Sequence, residues 1–394
     1  MPVPVNVSRA RQETPGCANV VHLNNAGAAL APAPVLDAVI DHLQLEARIG
    51  GYEAAAAAAP KVNAVYQSIA RLIGCRPHEV AVVENATRAW DMAFYAMRFR
   101  PGDRILTSRA EYASNVIAFL QVARRTGAQV EVVEDDEHGQ LSIMDLERRL
   151  DDAVKLVAVT HVPTQSGLVN PAAEIGRLTR AAGVPFLLDA CQSVGQLPVD
   201  VADIGCDMLS ATGRKFLRGP RGTGFLYVSD RFIEMLEPPF LDLHAATWTD
   251  AQTYEIRPDA RRFENWETNQ AGKIGLGVAV DYALSWGIEA IEDRVTALAV
   301  RLRDRLAQLP GVTVRDRGRR LCGIVTFTVD GVPAADVQRH LAAAGINTSV
   351  SAVTSARYDL GARDLPAVVR ASVHYYNTDE EIDTLCATLS SCRP

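Results

Sequence analysis

One lysine stands between small polar residues and a run of glycines and arginines. Residues 210–228 read SATGRKFLRGPRGTGFLYV, with Lys215 shortly after an apolar segment. A lysine amine is a nucleophile only when it is neutral, and a partly buried, cation-rich site lowers its pKa and makes it available for a Schiff base. Arg214, Arg218 and Arg221 supply neighbouring positive charge. The stretch is therefore consistent with a Schiff-base lysine, a loop that binds a polyanion, or a turn with solvated charges.

A carboxylate ends the apolar run VPFLLD at Asp189. Burying a lone carboxylate is costly, so this side chain needs a partner. A protonated pyridine nitrogen is one such partner, because a nearby anion stabilises the protonated ring and keeps it an electron sink. The alternative is that Asp189 caps the following turn, and this residue alone does not decide between the two.

A third element is the segment ENATR at residues 84–88, directly after the apolar run VAVV. Free amides at a helix N-terminus, together with the hydroxyl of Thr87, make an anion site. Thr212 and Arg214 could close on the same anion from the lysine loop. The alternative is helix capping by Asn85 or Thr87. Lysine, carboxylate and anion site together specify a cofactor with an aldehyde, a pyridine ring and a phosphate, which is pyridoxal 5'-phosphate (PLP).

These motifs resemble the class V branch of the fold-type I PLP-dependent enzymes. That branch includes cysteine desulfurases, isopenicillin N epimerase, kynureninase and carbon–sulfur lyases. The resemblance runs from LNNAGAAL at 23–30 to VRASVHYYNTDEEID at 369–383, and its most specific part is DACQSVG followed by SATGRKFLRGPRGTGFLY. It implies PLP as the cofactor. The residues that match the family's cofactor site are Ala86, Thr87, Tyr112, Thr164, Asp189, Gln192, Thr212, Arg214 and Lys215.

The resemblance also implies roles around the cofactor ring. Lys215 matches the lysine that forms the Schiff base and moves the Cα proton. Asp189 matches the partner of the pyridine nitrogen, and Gln192 the residue that hydrogen-bonds near the ring oxygen. Thr164 stands where desulfurases carry an asparagine, and Tyr112 is the candidate for the ring-stacking aromatic residue.

At the phosphate end, the matching positions are Ala86, Thr87, Thr212 and Arg214. Family members have a histidine where this chain has Arg214, so the resemblance implies a permanent positive charge in its place. For the substrate, Arg370 in VVRAS matches the arginine that binds the α-carboxylate, a task suited to its bidentate fork. The other substrate-binding candidates are Asn25, Tyr52, Trp266 and the segment 349–364.

The chain departs from the desulfurase pattern in two places. Segment 349–366 reads SVSAVTSARYDLGARDLP and has no cysteine, although desulfurases carry a nucleophilic cysteine in this region. Cys322 lies in the apolar run LCGIVTF and is predicted to be core. In RFENWETN at 262–269, Glu267 stands where desulfurases have a threonine that reaches the partner subunit's phosphate.

We therefore expect a PLP-dependent carbon–sulfur β-lyase rather than a persulfide-forming cysteine desulfurase. It would act on an S-substituted L-cysteine or its S-oxide and give a thiol or sulfenate, pyruvate and ammonia. The cofactor does not by itself choose the bond that breaks. An epimerase, an aminotransferase, a decarboxylating oxidative deaminase of a cysteine conjugate and a non-catalytic PLP-fold binding protein remain as alternatives.

The elements that must position these residues have an α/β pattern. Short apolar runs alternate with amphipathic stretches from about residue 80 to 230, which predicts a mostly parallel sheet with ligands at the carboxyl ends of its strands. We expect the fold-type I arrangement: an N-terminal segment (1–20), a large PLP-binding domain with a seven-stranded sheet (21–260), and a linker helix with a small α+β domain (261–394). The predicted strands of the large sheet are 80–83, 104–107, 130–133, 156–161, 185–189, 208–210 and 224–228. We also predict a helix at 172–182, a strand of the small domain at 347–350, and a last helix that starts with a capping box at 378–381.

Composition narrows the function classes. The chain has 394 residues and a net charge of -7, which argues against a general nucleic-acid binder. No apolar run approaches membrane length, and the N-terminus has no signal-peptide core. The seven scattered cysteines show no metal-ligand spacing, so we expect no metal site and reduced thiols in the cytoplasm. The resemblance further implies a homodimer and a small-molecule amino-acid substrate.

Overall fold

The computed structural model describes residues 3–392. Its helices are α1 (Val7–Gln12), α2 (Ala33–Ile49), α3 (Gly51–Ala57), α4 (Ala59–Ile73), α5 (Ala86–Phe94), α6 (Ala113–Thr126), α7 (Ile143–Arg149), α8 (Ala172–Ala182), α9 (Val201–Ile204), α10 (Asp230–Ile233), α11 (Gln270–Trp286), α12 (Ile288–Ala307), α13 (Ala334–Ala343), α14 (Arg357–Leu360) and α15 (Asp379–Leu389). Its strands are β1 (Val21–His22), β2 (Val80–Val83), β3 (Arg104–Ser108), β4 (Gln129–Val133), β5 (Val154–Thr160), β6 (Phe186–Asp189), β7 (Met208–Thr212), β8 (Gly224–Val228), β9 (Ala246–Asp250), β10 (Thr253–Ile256), β11 (Val312–Val314), β12 (Ile324–Val329), β13 (Ile346–Asn347), β14 (Ser349–Ala352) and β15 (Ala367–Ser372).

The large sheet has seven strands in the order β2-β8-β7-β6-β5-β3-β4. Only β8 runs antiparallel to its neighbours, β2 and β7, and the other pairs are parallel. Strands β2, β6, β7 and β8 are buried along their whole length, as expected when helices cover both faces of a sheet. The predicted α/β fold class and the mostly parallel seven-stranded sheet are confirmed.

A smaller antiparallel sheet, in the order β11-β12-β15-β14, forms the C-terminal part. The predicted single strand at 347–350 is wrong, because the chain divides there between two partners. Strand β13 pairs with β1 near the N-terminus, whereas β14 pairs with β15. The N-terminal part of the chain is therefore hydrogen-bonded to β13, and the carbonyl of Leu23 also accepts from the N–H of Ser372 in β15 of the small sheet. The domain boundaries at 20 and 260 stay a prediction.

Helix α11 is buried along most of its length and packs against α2 and α4 beside the large sheet. Within residues 3–392, no single helix is both long enough and apolar enough to cross a membrane. Helices α11 and α12 are long and apolar enough only when they are taken together, and the pair is bent by 78°.

Candidate active site

A cavity of about 390 Å³ lies at the carboxyl ends of the central strands. All nine residues predicted to bind the cofactor line it, from five separate parts of the chain. The other lining residues are Asn85, Asn115, Thr160, Val162 and Cys191. The parallel arrangement of β5, β6 and β7 brings these parts together, because all three strands end at the same edge.

Lys215 follows β7 and is 8% exposed. Burial lowers the pKa of its amine, and the nearby Arg214 and Arg370 lower it further. Cys191 and Asp189 act in the opposite direction. The surroundings therefore favour the neutral amine, which is the form that attacks an aldehyde.

Asp189 is the last residue of β6 and is buried. Its Oδ1 accepts from the backbone N–H of Cys191 at 2.9 Å, and its Oδ2 accepts from the amide of Asn115 at 3.1 Å. Burial raises the pKa of Asp189, although these donors and Lys215 oppose the shift. A buried carboxylate with a raised pKa suits a cationic or proton-bearing partner, as a pyridine nitrogen would be.

The N-terminus of α5 points its free amides at the other end of the cavity. Asn85 caps the helix, accepting from the N–H of Arg88 at 2.9 Å, and the N–H groups of the first turn have no acceptor within the helix. Gly224 lets β8 pass close to this turn, because a Cβ there would lie 2.7 Å from the carbonyl carbon of Asn85. Thr212 and Arg214 complete the lining on this side.

The cavity residues fit PLP. The lining offers helix amides, hydroxyls and a guanidinium for a phosphate, a carboxylate for the ring nitrogen, and the amine of Lys215 for the aldehyde. Gln192 donates to the carbonyl of Ala26 at 3.1 Å and to Thr164 at 3.3 Å. Its amide oxygen is buried without a partner, so the side chain has unused hydrogen-bonding capacity at the cavity.

Arg370, on β15, reaches the cavity through Thr164. Its guanidinium donates to the carbonyl and hydroxyl of Thr164 and, at 3.3 Å, to Asn24. Its Nε is buried without a partner. Burial lowers the pKa of Arg370 to about 10, and Arg214 adds to the shift. A buried guanidinium held by neutral groups is suited to take an anion, such as a substrate carboxylate.

The structure does not bring Asn25 to the cavity. Its amide donates to the carbonyl of Ser372 at 2.7 Å, and its oxygen accepts from Tyr376. The side chain is fully buried, so it has no free group for a substrate. The neighbouring Asn24 instead contacts Arg370.

Tyr52 and Trp266 lie at a separate, open cavity between the start of α3 and the segment before α11. Tyr52 is 74% exposed and Trp266 is 57% exposed. Glu267 lines the same opening. Their predicted part in substrate binding stays a prediction.

Two of the five lining residues that were missed from the sequence hydrogen-bond to Asp189. Asn115 hydrogen-bonds to both Glu111 and Asp189, and the four-residue spacing of Glu111 and Asn115 in EYASN was the available signal. Cys191, two residues after Asp189, is the only thiol among the described residues that line the cavity. Burial raises the pKa of this thiol despite the opposing effect of Lys215.

Segment 349–366 packs on the rim of the cavity. Ser351 donates to the carbonyl of Thr164 at 3.5 Å, and Asp359 accepts from Gln165 at 3.2 Å. The segment thus lies beside Thr164 and Arg370 and brings hydroxyls, but no thiol, to that side.

Comparison with known proteins places this site in a family. The Aminotransferase class-V model matches residues 21–385. The chain belongs to the aminotransferase class V family. PLP is its cofactor, as the resemblance of the sequence implied, and the residues that line the cavity fit it.

Relatives and solved structures agree on this family. A probable cysteine desulfurase from Methanothermobacter thermautotrophicus is 30% identical over 385 residues, covering 96% of each chain. The apo structure of a cysteine desulfurase from Thermococcus onnurineus NA1 is 27% identical, with a TM-score of 0.91, covering 99% of this chain and 98% of that one. A C-DES mutant with glycine covalently linked to the PLP cofactor shares the fold, with a TM-score of 0.87 at 23% identity, covering 97% of this chain and 99% of that one.

These findings correct the functional prediction. The expected carbon–sulfur lyase acting on S-substituted cysteine is wrong, and so is the exclusion of a cysteine desulfurase, because the relatives that match nearly the whole chain are named cysteine desulfurases. The prediction relied on the missing cysteine in segment 349–366. A cysteine in that segment would bear on which thiol accepts the sulfur. The other residues of the site bear on which amino acid is bound.

Proposed function

We propose that this protein is a cysteine desulfurase that acts on L-cysteine. The Cβ–S bond of L-cysteine breaks, a thiol R–SH takes up the sulfur as R–S–SH, and Cβ gains a proton to give L-alanine. The sulfur atom is oxidised as the S–S bond forms, and the carbon is reduced by the same pair of electrons. No further oxidant or reductant is needed for this step.

The observation that carries this proposal is the arrangement of Lys215 and Asp189 in one cavity, with Arg370 reaching it through Thr164. An amine whose pKa is lowered by burial lies near a guanidinium whose hydrogen-bond partners among the described residues are the neutral Thr164 and Asn24. Such a pair suits an α-amino acid, whose carboxylate can bind Arg370 while its Cα faces Lys215. Relatives named cysteine desulfurases identify which amino acid to test first.

Each protein group has a defined task. PLP, when bound, withdraws electrons from the amino acid and so acidifies its Cα proton. Lys215 removes that proton and returns one, because burial lowers the pKa of its amine and favours the neutral form that acts as a base. Asp189 would supply a negative charge to the ring nitrogen. Arg370 orients the carboxylate, and Thr164 and Asn24 hold Arg370 in place.

The acceptor thiol comes from solution. Segment 349–366 brings no thiol to the rim, and burial raises the pKa of Cys191, which leaves little of the nucleophilic thiolate. The backbone N–H of Cys191 also donates a hydrogen bond to Asp189, so Cys191 lies beside the residue proposed to bind the cofactor ring. The persulfide therefore forms on a small thiol that enters the open cavity.

The test is to identify the products made from L-cysteine by the PLP-loaded protein in the presence of dithiothreitol. We expect L-alanine and sulfide, since excess dithiol releases sulfide from the persulfide. Pyruvate and ammonia as the main products would contradict the proposal. Lys215→Ala should form none of these products. Lys155→Ala, which changes an exposed lysine of β5, is the control and should form them normally.

We also propose that the protein is a homodimer in a reducing compartment, the cytoplasm. The described residues include an apolar stripe on α2 formed by Leu36, Ile40 and Leu43, which are 48%, 39% and 50% exposed. A second copy would cover such a stripe. All seven cysteines are free, which fits a reducing compartment.

A further inference from the structure

Glu111 is a buried carboxylate that lies behind the active site without lining it. It is 2% exposed and precedes Tyr112, the residue before α6. Keeping an ionisable group at such a position is expensive unless its hydrogen bonds are satisfied. An apolar side chain would fill the same volume at lower cost, so packing alone does not explain the carboxylate.

Five hydrogen bonds converge on the two oxygens of Glu111. The donors are the backbone N–H of Tyr112 at 2.8 Å, the amide of Asn115 at 2.9 Å, the N–H of Thr160 at 2.9 Å, the hydroxyl of Thr107 at 3.1 Å and the hydroxyl of Thr160. Tyr112, Asn115 and Thr160 all line the cofactor cavity. One carboxylate thus fixes three parts of the cavity wall.

Asn115 connects Glu111 to Asp189, the residue proposed to bind the cofactor ring. Its single NH₂ group donates to Oε1 of Glu111 at 2.9 Å and to Oδ2 of Asp189 at 3.1 Å. Both hydrogens are therefore used, one on each carboxylate. An amide with only the Asp189 contact could turn away, whereas the contact with Glu111 holds it in one orientation.

We propose that Glu111 is a positioning residue that orients Asp189 through the amide of Asn115. The other oxygen of Asp189 is held by the backbone of Cys191, so the two contacts together fix the carboxylate plane toward the cavity. This role concerns the cofactor site and holds whatever amino acid the protein acts on.

The electrostatics of the pair agree with this geometry. Burial raises the pKa of Glu111 to about 7, the charge of Asp189 adds to the shift, and the donors from Thr160, Asn115 and Tyr112 oppose it. On the cavity side, the charge of Lys215 lowers the pKa of Asp189. Two neighbouring carboxylates in a buried site are costly, and a cationic ring nitrogen beside Asp189 would offset part of that cost.

A double-mutant cycle tests the path from Glu111 to Asp189. Glu111→Gln, Asn115→Ala and the double variant are loaded with PLP. The dissociation constant of PLP and the visible circular dichroism per bound PLP are then measured for each protein. We expect each single change to weaken PLP binding roughly tenfold and to reduce the visible ellipticity. The double variant should be no weaker than either single variant, because both act along one path.

Thr107→Val is the matched control, since it removes one donor to Glu111 on the side away from Asn115. It should leave the PLP affinity within about twofold and the ellipticity unchanged. Additive losses in the double variant, or wild-type values in both single variants, would overturn the proposal. So would a Thr107→Val variant as weak as Glu111→Gln, because that would indicate general loosening. If Glu111→Gln does not fold, the measurements on Asn115→Ala alone test the proposal. Wild-type PLP affinity and ellipticity in that variant would overturn it.

Discussion

Lys215 and Asp189 could be identified from the sequence because both follow apolar strands whose carboxyl ends share one edge of the sheet. The sequence identifies each strand and the polar residue near its end, and the parallel pairing of β6 and β7 brings those ends together. Asn115 and Glu111 were missed because they act through hydrogen bonds to β5 and β6, and their four-residue spacing does not reveal those contacts. Asn25 was placed at the site by resemblance, but the structure uses its amide elsewhere.

Lys215→Ala should abolish turnover and the visible absorbance of the bound cofactor while the fold remains. The variant lacks the amine that bonds to PLP and moves the Cα proton, and loss of such a group costs at least about a thousandfold. Absorbance spectra, alanine release and far-ultraviolet circular dichroism measure the three properties. Retained turnover would show that another residue has this role.

Arg370→Lys should raise the KM for L-cysteine by roughly tenfold or more, with a smaller change in kcat. A lysine keeps the charge but loses the planar fork that binds a carboxylate through two hydrogen bonds. Steady-state kinetics of alanine formation provide the measurement. Arg315→Lys, at the residue after β11 whose side chain hydrogen-bonds to Thr328, is the control and should leave KM unchanged. An unchanged KM in Arg370→Lys would remove Arg370 from substrate binding.

At the scale of elements, local signals predicted most of the structure. All seven strands of the large sheet were located, and α8 and the Thr378 capping box of α15 were found with their observed bounds. The predicted strand at 347–350 divides into β13 and β14 because its two halves pair with strands from distant parts of the chain. Such a division depends on tertiary pairing, which residue alternation does not reveal.

Gly224→Ala should weaken PLP binding by roughly tenfold through the α5 N-terminus. An added Cβ would lie 2.7 Å from the carbonyl oxygen of Ala211 and the carbonyl carbon of Asn85, so the turn that precedes α5 must move. A phosphate site made of helix amides loses affinity when those amides shift. Fluorescence titration with PLP measures the effect. Gly51→Ala, where a Cβ meets nothing within 4 Å, should bind PLP normally, and equal affinity in both variants would contradict this account.

At the scale of the whole molecule, the sequence predicted the fold and the cofactor but not the reaction. The cofactor site comes from motifs with fixed spacing, whereas the substrate depends on surfaces that meet only in the fold. Thr164 contacts segment 349–366 and Arg370, which are neighbours in the chain but lie far from Thr164 in the sequence. The prediction of a lyase rested on the absence of one cysteine, whereas the similarity to cysteine desulfurases extends along nearly the whole chain.

The apolar stripe on α2 predicts a dimer that a single charge should disrupt. Leu43→Glu should produce monomers at micromolar concentration, since a charge buried at an interface without a partner is costly. Sedimentation velocity measures the assembly state of the variant and of the parent protein. Val300→Glu, at a residue of α12 that is also 50% exposed, should remain dimeric. A monomeric parent protein would contradict the predicted assembly.

The most direct test of the proposed desulfuration is the amount of L-alanine formed per subunit with and without added thiol. The PLP-loaded protein is incubated with L-cysteine in excess, and alanine and pyruvate are quantified as dithiothreitol is increased. We predict that alanine formation becomes catalytic and rises with the thiol, because the acceptor enters from solution. Pyruvate in place of alanine, at any thiol concentration, would contradict the account.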